Sequence, residues 1–395
     1  TEALAHRGFE THLVEYAEHV LPPLEVEMAT LVTQELRALG VHVHAGVAAQ
    51  SITHGDDHDS VTLSDGTVLT ADVIVLSTGV RPDTAFAEAA GIETSRGYIL
   101  VDEHGRTSAD DVYAVGDGTI GRDHDRPVAL AGPANRGGRL VADAIADAEH
   151  GEATARPIPR PQGTAIVRIG SLTAAMTGAN RQTLDASGIQ YFTVHTHANQ
   201  HAGYFPGAQP VHILMHVGTD GAILGAQAVG AAGVDRRIDV IATAIRAGLS
   251  ATDLIDLDLA YAPPYGQAKD PVNQTGMVAH NVLTGGLVLT GPDALTEDMP
   301  VLDVRTPGEY AAGHMPNSLN IPHTQLRDRL DEVQAWADEN VGDQPFVVMC
   351  AAGVRSWIGY RIVRAAGFDV TMLSGGIQTL RAWLGDRAAT VLLKE

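Results

Sequence analysis

The chain has one cysteine among its 395 residues, Cys350, in the run Val347-Val348-Met349-Cys350-Ala351-Ala352-Gly353-Val354-Arg355-Ser356. An apolar, strand-like stretch ends at the thiol. A turn containing Gly353 follows, then Arg355 and what reads as a helix start. That order lets backbone N–H groups and a helix N-terminus converge on the sulfur, where they would stabilise a thiolate and cradle an anionic substrate. A lone cysteine is ordinarily a small buried hydrophobe. At a strand-to-helix turn it reads instead as a reactive thiol, expected to alkylate faster than a free cysteine at neutral pH. Ala351, Ala352, Gly353, Val354 and Ser356 are the expected substrate-binding positions. Arg355 would supply fixed positive charge for a sulfur-bearing anion.

The residues flanking this loop resemble a rhodanese domain over about residues 290–390. The first half of the resemblance is carried by Leu302-Asp303-Val304-Arg305 and by Glu309-Tyr310-Ala311-Ala312-Gly313-His314-Met315-Pro316. The second half is carried by Leu373-Ser374-Gly375-Gly376-Ile377, ending near Trp383. The resemblance implies that Cys350 carries sulfane sulfur as a persulfide, residues 351–356 being its cradle, while Asp303, Arg305 and His314 hold the fold together. Related phosphatases place five residues between cysteine and arginine, where this chain has four, which suits a single sulfur atom better than a tetrahedral phosphate. Ala351 stands where many rhodaneses have a basic residue. A persulfide, polysulfide or protein thiol is therefore expected as donor ahead of thiosulfate.

A second set of positions implies redox chemistry. Phe9 to Glu15 reads as a short strand ending in an acid. In a dinucleotide-binding βαβ unit such a carboxylate takes the adenosine ribose hydroxyls and repels a 2′-phosphate, which favours NADH. Ala71 to Leu76 reads as a buried strand running into a turn at Thr78-Gly79. Asp111 to Asp117 reads as a strand ending in Gly116-Asp117, and Leu130 to Arg139 as the start of a long helix with Pro133 in its first turn. In this order the segments resemble the flavoprotein disulfide reductases. The resemblance implies that Asp117 binds the ribityl chain of FAD, that Gly116 permits close approach, and that the helix start at Ala131, Pro133 and Ala134 faces the flavin ring. Gly203-Tyr204-Phe205-Pro206-Gly207 and Tyr261-Ala262-Pro263-Pro264-Tyr265 resemble the coenzyme A disulfide reductase branch, in which interface tyrosines reach the partner subunit's active site. Tyr265 and Tyr204 are the positions carried over.

The elements expected to hold these residues follow from composition and punctuation. The fold class is α/β: truncated FAD/NAD(P)-binding doubly wound domains, an α+β dimerisation domain and a rhodanese-like α/β domain. The expected divisions are residues 1–80 for the remainder of the NAD-binding domain and 81–155 for the returning part of the FAD-binding domain. Residues 160–285 would form the dimerisation domain, after a Pro-rich linker at 156–161, and 290–395 the rhodanese domain. Thr1 lies inside what reads as a helix, so the first glycine loop and the redox cysteine of such reductases are expected upstream of this sequence. The chain alone is then not expected to oxidise NADH with polysulfide. A net charge of −22 argues against nucleic acid or an anionic membrane as partner. One cysteine fits a reducing cytoplasm, and no run approaches the roughly 18 apolar residues of a bilayer span. His195, His197 and His201 read as a solvated loop, with no metal expected.

Together the two resemblances imply a homodimeric reductase, dependent on NADH and FAD, that acts on coenzyme A persulfide, polysulfide or coenzyme A disulfide and passes sulfur through Cys350. Coenzyme A would be substrate or ligand. The alternatives are a sulfurtransferase whose reductase half is only scaffold, a non-catalytic sulfur-sensing module, and an oxygen- or peroxide-reducing NADH oxidase, against which the rhodanese fusion counts.

Overall fold

A short helix, Glu2–His6 (α1), leads into the strand Thr11–Glu15 (β1), which the helix Val26–Ala38 (α2) joins to its parallel partner Val41–Ala45 (β2). The crossover follows the apolar spacing of α2, whose Met28, Ala29, Val32 and Leu36 are buried along one stripe. The chain is then a three-stranded sheet of Ala49–Thr53 (β3), Asp59–Leu63 (β4) and Val68–Ala71 (β5). The parallel arrangement expected through residue 80 is thus limited to the β1–β2 pair. This computed structural model describes residues 1–124, 126–342 and 344–394. It divides into a unit of residues 1–70 with 166–395 and a unit of residues 71–165.

The 71–165 unit contains the helix Ala85–Ala89 (α3), the strands Thr94–Ser95 (β6), Tyr98–Val101 (β7) and Thr119–Gly121 (β8), and the long helix Ala131–His150 (α4). Ala87, Ile99 and Val101 form its small core. Two expected strands are absent here. Residues 72–80 have no ladder partner among the described residues, and Val73, Val75, Leu76 and Val80 are exposed. A run of β-branched residues becomes a strand only where another backbone lies beside it. In the stretch 111–117 the pairing is a single bridge, Arg106 with Tyr113. The helix start at Ala131 is as expected, and α4 stops at Gly151 in the left-handed conformation.

From residue 165 come Ala165–Ile169 (β9), Leu172–Gly178 (β10), the helix Arg181–Ser187 (α5), Tyr191–Asn199 (β11), Pro210–Gly218 (β12), Ile223–Gly230 (β13), and the helices Val234–Ala247 (α6) and Pro271–Leu283 (α7). The sheet order is β11-β12-β13-β10-β9, with β11, β12, β13 and β10 antiparallel. Ile213, Met215, Ala226 and Ala228 pack against Ile238 and Ile241 of α6 and Val272 and Ala279 of α7. Alternate residues Leu214 and Val229 turn to the other face, where they join Met28, Val32 and Leu36 of α2.

The last domain is a five-stranded parallel sheet ordered β14-β18-β17-β15-β16. In chain order its elements are Leu289–Thr290 (β14), Val301–Asp303 (β15), Pro307–Ala311 (α8), Ser318–Asn320 (β16), Leu330–Asn340 (α9), Phe346–Met349 (β17), Val354–Ala365 (α10), Val370–Leu373 (β18) and Gly376–Leu384 (α11). The apolar run of β17 is buried at every position, as a central strand covered on both faces requires. It delivers Cys350 to the carboxyl end of the sheet, the usual place for a ligand in such folds. Among the described residues no helix is long and apolar enough to cross a membrane.

Candidate functional site

Cys350 follows β17 directly, and its loop closes at Gly353, the residue capping α10, whose φ is +101°. The Gly353 N–H donates to Cys350 Sγ at 3.2 Å. The thiol in turn reaches Ser356 Oγ at 3.4 Å, and that hydroxyl donates to the Gly353 carbonyl at 2.8 Å. Gly353, Ser356 and the sulfur thus form one closed set of contacts at the start of a 12-residue helix. Val354 points to solvent, while Ser356 is buried and Ala351 and Ala352 are half-buried. The sulfur is less accessible than a freely reactive thiol would be, since Cys350 is 1% exposed. A reagent therefore reaches it only when the loop opens.

Arg355 does not stand free over the sulfur. Its Nη1 and Nη2 donate to the two carboxylate oxygens of Glu309 at 2.8 and 2.6 Å. Glu309 also accepts from the N–H and hydroxyl of Thr306, closing a capping box at the start of α8. These contacts, Arg355 foremost, hold the Glu309 carboxyl down at about 2. The Arg355 guanidinium is correspondingly raised, by Glu309 first and by the nearby Cys350 sulfur to a smaller degree. Glu309 lay within the quoted rhodanese motif, but its partner could not be read from spacing. Below it Arg305 grips Asp303 through Nε at 3.0 Å and Nη2 at 2.6 Å, and donates to the carbonyls of Glu309 and Gly313 at 2.8 Å each. His314 stacks on Tyr310 with ring centroids 3.8 Å apart. Asp303, Arg305 and His314 thus brace the segment that carries Glu309.

The three histidines expected in a solvated loop are placed differently. His195 and His197 lie within β11, and His195 and His201 are buried. α2 and α11 cover the β11 face that bears His195 and His197, while His201, beyond the strand, packs edge-on to Phe205. His195 Nε2 meets Glu27 Oε1 at 3.0 Å, and Arg181 donates to the same oxygen at 2.9 Å. Burial pushes the Glu27 carboxyl up, but the His195 hydrogen bond and then Arg181 outweigh it and hold it at about 2. Neighbouring Glu25 meets His216 Nε2 at 3.1 Å and accepts the Arg181 N–H at 2.7 Å.

Tyr204 and Tyr265 are both exposed, on loops of the dimerisation sheet. Tyr204 meets the hydroxyl of Tyr261 at 3.5 Å, a residue of the quoted motif not singled out from sequence. This hydrogen bond raises the Tyr261 phenol. Arg236 fixes the 260–266 loop by donating to the carbonyls of Tyr265 and Ala260 at 2.8 and 2.7 Å.

The nucleotide positions fall into two groups. Glu15 ends β1, and its Oε1 accepts the Ala17 N–H at 2.9 Å, which orients the carboxylate at the strand end. Gly116 has φ +95°, and Asp117 beside it is exposed, with no hydrogen-bond partner for its carboxylate among the described residues. The first turn of α4, from Ala131 through Pro133 to Ala134, carries no side-chain cap. A left-handed glycine, an unengaged carboxylate and open helix N–H groups fit the anionic and hydroxyl-bearing parts of a flavin dinucleotide. Thr78 and Gly79 are exposed in the 72–80 stretch and, among the described residues, hydrogen-bond to none of these groups.

These parts define an α/β protein of two kinds of chemistry, with nucleotide-binding elements and an antiparallel sheet domain followed by a parallel sheet bearing a strand-end thiol. Residues 1–148 match the pyridine nucleotide-disulphide oxidoreductase family, residues 164–271 its dimerisation domain, and residues 292–382 the rhodanese-like domain. A crystal structure of reduced Bacillus anthracis CoADR-RHD superposes with a TM-score of 0.90 at 36% identity, covering 98% of this chain and 69% of that one. A NAD-dependent persulfide reductase from A. fulgidus gives 0.86 at 36% identity, covering 96% and 68%. Coenzyme A disulfide reductase of Staphylococcus haemolyticus is 30% identical over 287 residues, 71% of this chain, and the match spans 63% of that relative's length. The chain belongs to the pyridine nucleotide-disulphide oxidoreductase family and carries a rhodanese-like domain.

Proposed function

We propose that this chain serves an NADH- and FAD-dependent reductase of coenzyme A persulfide, polysulfide or coenzyme A disulfide, with sulfane sulfur carried as a persulfide on Cys350. The observation that carries the reading is the buried Cys350 sulfur held by Gly353 at the start of α10, in a chain whose remaining segments match a disulfide reductase family. In the sulfur-transfer step the Cys350 thiolate attacks the outer sulfur of a donor R–S–SH. A new S–S bond forms at Cys350 as the donor's S–S bond breaks, and R–S⁻ leaves with the electron pair. No net oxidation occurs. Reduction of R–S–SH to RSH and H₂S consumes two electrons and two protons, supplied by NADH and one proton. FAD, when bound, supplies the two-electron relay between nicotinamide and sulfur.

In this reading Glu15 holds the adenosine ribose of NADH, and Gly116, Asp117 and the Ala131–Ala134 turn hold FAD, with Thr78 and Gly79 beside it. Tyr204 and Tyr265 serve the active site across a homodimer interface. Residues 1–80, 81–155, 160–285 and 290–395 act as the four functional divisions. The Gly353 N–H and the neighbouring loop steady the terminal sulfur, while Arg355 braces the loop through Glu309.

Brief exposure of the chain to polysulfide, followed by intact mass with and without reductant, tests the carrier role. One reductant-labile sulfur is expected, and none in Cys350→Ser. No labile adduct would remove Cys350 from the chemistry. Because the closed Cys350 contacts lie wholly within residues 350–356, a sulfurtransferase with the reductase half as scaffold is the second reading. A flavin spectrum from the purified protein decides between the two.

A further inference from the structure

His195 and His197 lie two apart on β11 and so share one face of the strand. Both reach the α11 turn of the rhodanese-like domain. His195 Nδ1 meets Ser374 Oγ at 2.8 Å, and the His195 backbone N–H donates to the same oxygen at 3.2 Å. His197 Nε2 meets Thr379 Oγ1 at 2.7 Å. Ser374 and Thr379 are fully buried. Because Glu27 is ionised and can only accept, His195 Nε2 is the donor nitrogen in that contact, leaving Nδ1 for the serine.

The same turn holds the cysteine loop from its other side. Gly375 and Gly376 have φ of +68° and +65°. A side chain on Gly375 would strike His195 and His197, and one on Gly376 would strike the backbone of Cys350 and Ala351. Just beyond, the Ile377 N–H donates to the Cys350 carbonyl at 2.9 Å and the Gln378 N–H to the Ala351 carbonyl at 3.1 Å. Only two residues, Gly375 and Gly376, therefore separate a hydrogen bond to β11 from one to the residue that bears the sulfur.

We propose that His195 is a positioning residue for Cys350, holding the sulfur loop closed through Ser374 and the α11 turn, so that the dimerisation sheet sets how readily the thiol is uncovered. The proposal rests on the sulfur-carrier reading and adds to it the residue that controls access. The reductase body would thereby govern when the carrier loop opens to donor or acceptor.

The two ring nitrogens can be tested separately. In His195→Asn an amide atom stands where Nδ1 stood, keeping the Ser374 contact and losing Glu27. In His195→Gln it stands where Nε2 stood, keeping Glu27 and losing the ring contact to Ser374, so that only the backbone N–H still reaches that hydroxyl. Cys350 is the only thiol, so iodoacetamide labelling of the 395-residue chain reports loop opening directly. Labelling is expected to stay within about twofold of wild type in His195→Asn. It should rise roughly fivefold in His195→Gln and in Ser374→Ala, the shift that loss of one buried hydrogen bond gives to an opening equilibrium. Urea midpoints are expected to order the histidine variants oppositely, since His195→Asn leaves buried Glu27 with Arg181 alone. Equal labelling in the two histidine variants, or labelling that merely follows the urea midpoints, overturns the proposal. Should His195→Gln not fold, Ser374→Ala carries the test through amide exchange at Ile377 and Gln378. Faster exchange is expected there, and unchanged exchange overturns the idea. Sulfur uptake by wild type is read separately by mass, so failure of the carrier reading is distinguishable from failure of the positioning one.

Discussion

Arg355 shows how a residue identified from spacing can take a different part in the folded chain. Its charge was expected to face the substrate, but both terminal nitrogens are engaged by Glu309, so the pair presents little net field to an approaching anion. Replacing Glu309 by Gln leaves the guanidinium uncompensated beside the sulfur. The rate ratio of iodoacetate to iodoacetamide at Cys350 should then rise about three- to tenfold, the effect of one partly exposed charge a few ångströms away. Taking the ratio cancels any change in loop opening, which both reagents need. An unchanged ratio would mean that the cation is screened from the thiol altogether.

At the scale of elements, the α11 turn is the most constrained support of the site. Gly376→Ala places a methyl group at φ +65° against the Cys350 carbonyl, so both the backbone and its neighbour must move. A loss of about 1–3 kcal/mol is expected by urea unfolding, with labelling of Cys350 rising in parallel. The two glycines were legible in the sequence as part of a motif, though not what they touch. Elements that satisfy themselves locally were legible too. The apolar run through Met349 followed by Gly353 marks the strand and turn that present Cys350, and Pro133 marks the first turn of α4. Elements whose identity depends on a distant backbone were not. The run Val73 to Leu76 carries every local sign of a strand and has no ladder partner among the described residues, while His195 and His197 look like loop residues until α2 and α11 cover them. Capping chemistry lies between these cases. Glu309 stands in the quoted motif, but only the fold shows it capping α8 and brings Arg355 to it across 46 positions of chain.

Across the whole molecule the acid groups matter most, since the chain carries 48 of them against 26 Lys and Arg. Most are solvated and contribute little, but Glu27 is buried where α2, β11, α5 and α11 meet, and it draws His195 and Arg181 to it. Its Oε2 has no partner among the described residues, so the attraction at Oε1 must outweigh a burial penalty that is only partly met. With a folded value of about 2 against the ordinary 4.5, the carboxylate contributes stability that is complete above about pH 4.5 and lost as pH falls toward 2. The shift corresponds to something on the order of 3 kcal/mol. Glu25, also held low, acts in the same direction. Acid should therefore loosen the seat of α2 on the dimerisation sheet and, because α11 packs on α2, the hold on the rhodanese-like domain, before it unfolds either domain. All three tryptophans, Trp336, Trp357 and Trp383, follow residue 290, and Arg181 of α5 lies over the Trp383 ring at 5.7 Å, so their fluorescence reports the last domain and its junction with the dimerisation sheet. At pH 7 the urea transitions by tryptophan fluorescence and by far-ultraviolet circular dichroism are expected to coincide. Near pH 3.5 they should separate. In Glu27→Gln they should already be apart at pH 7 and move less on acidification. Transitions that stay coincident at both pH values in wild type would show that the Glu27 cluster does not couple the rhodanese-like domain to the rest of the chain.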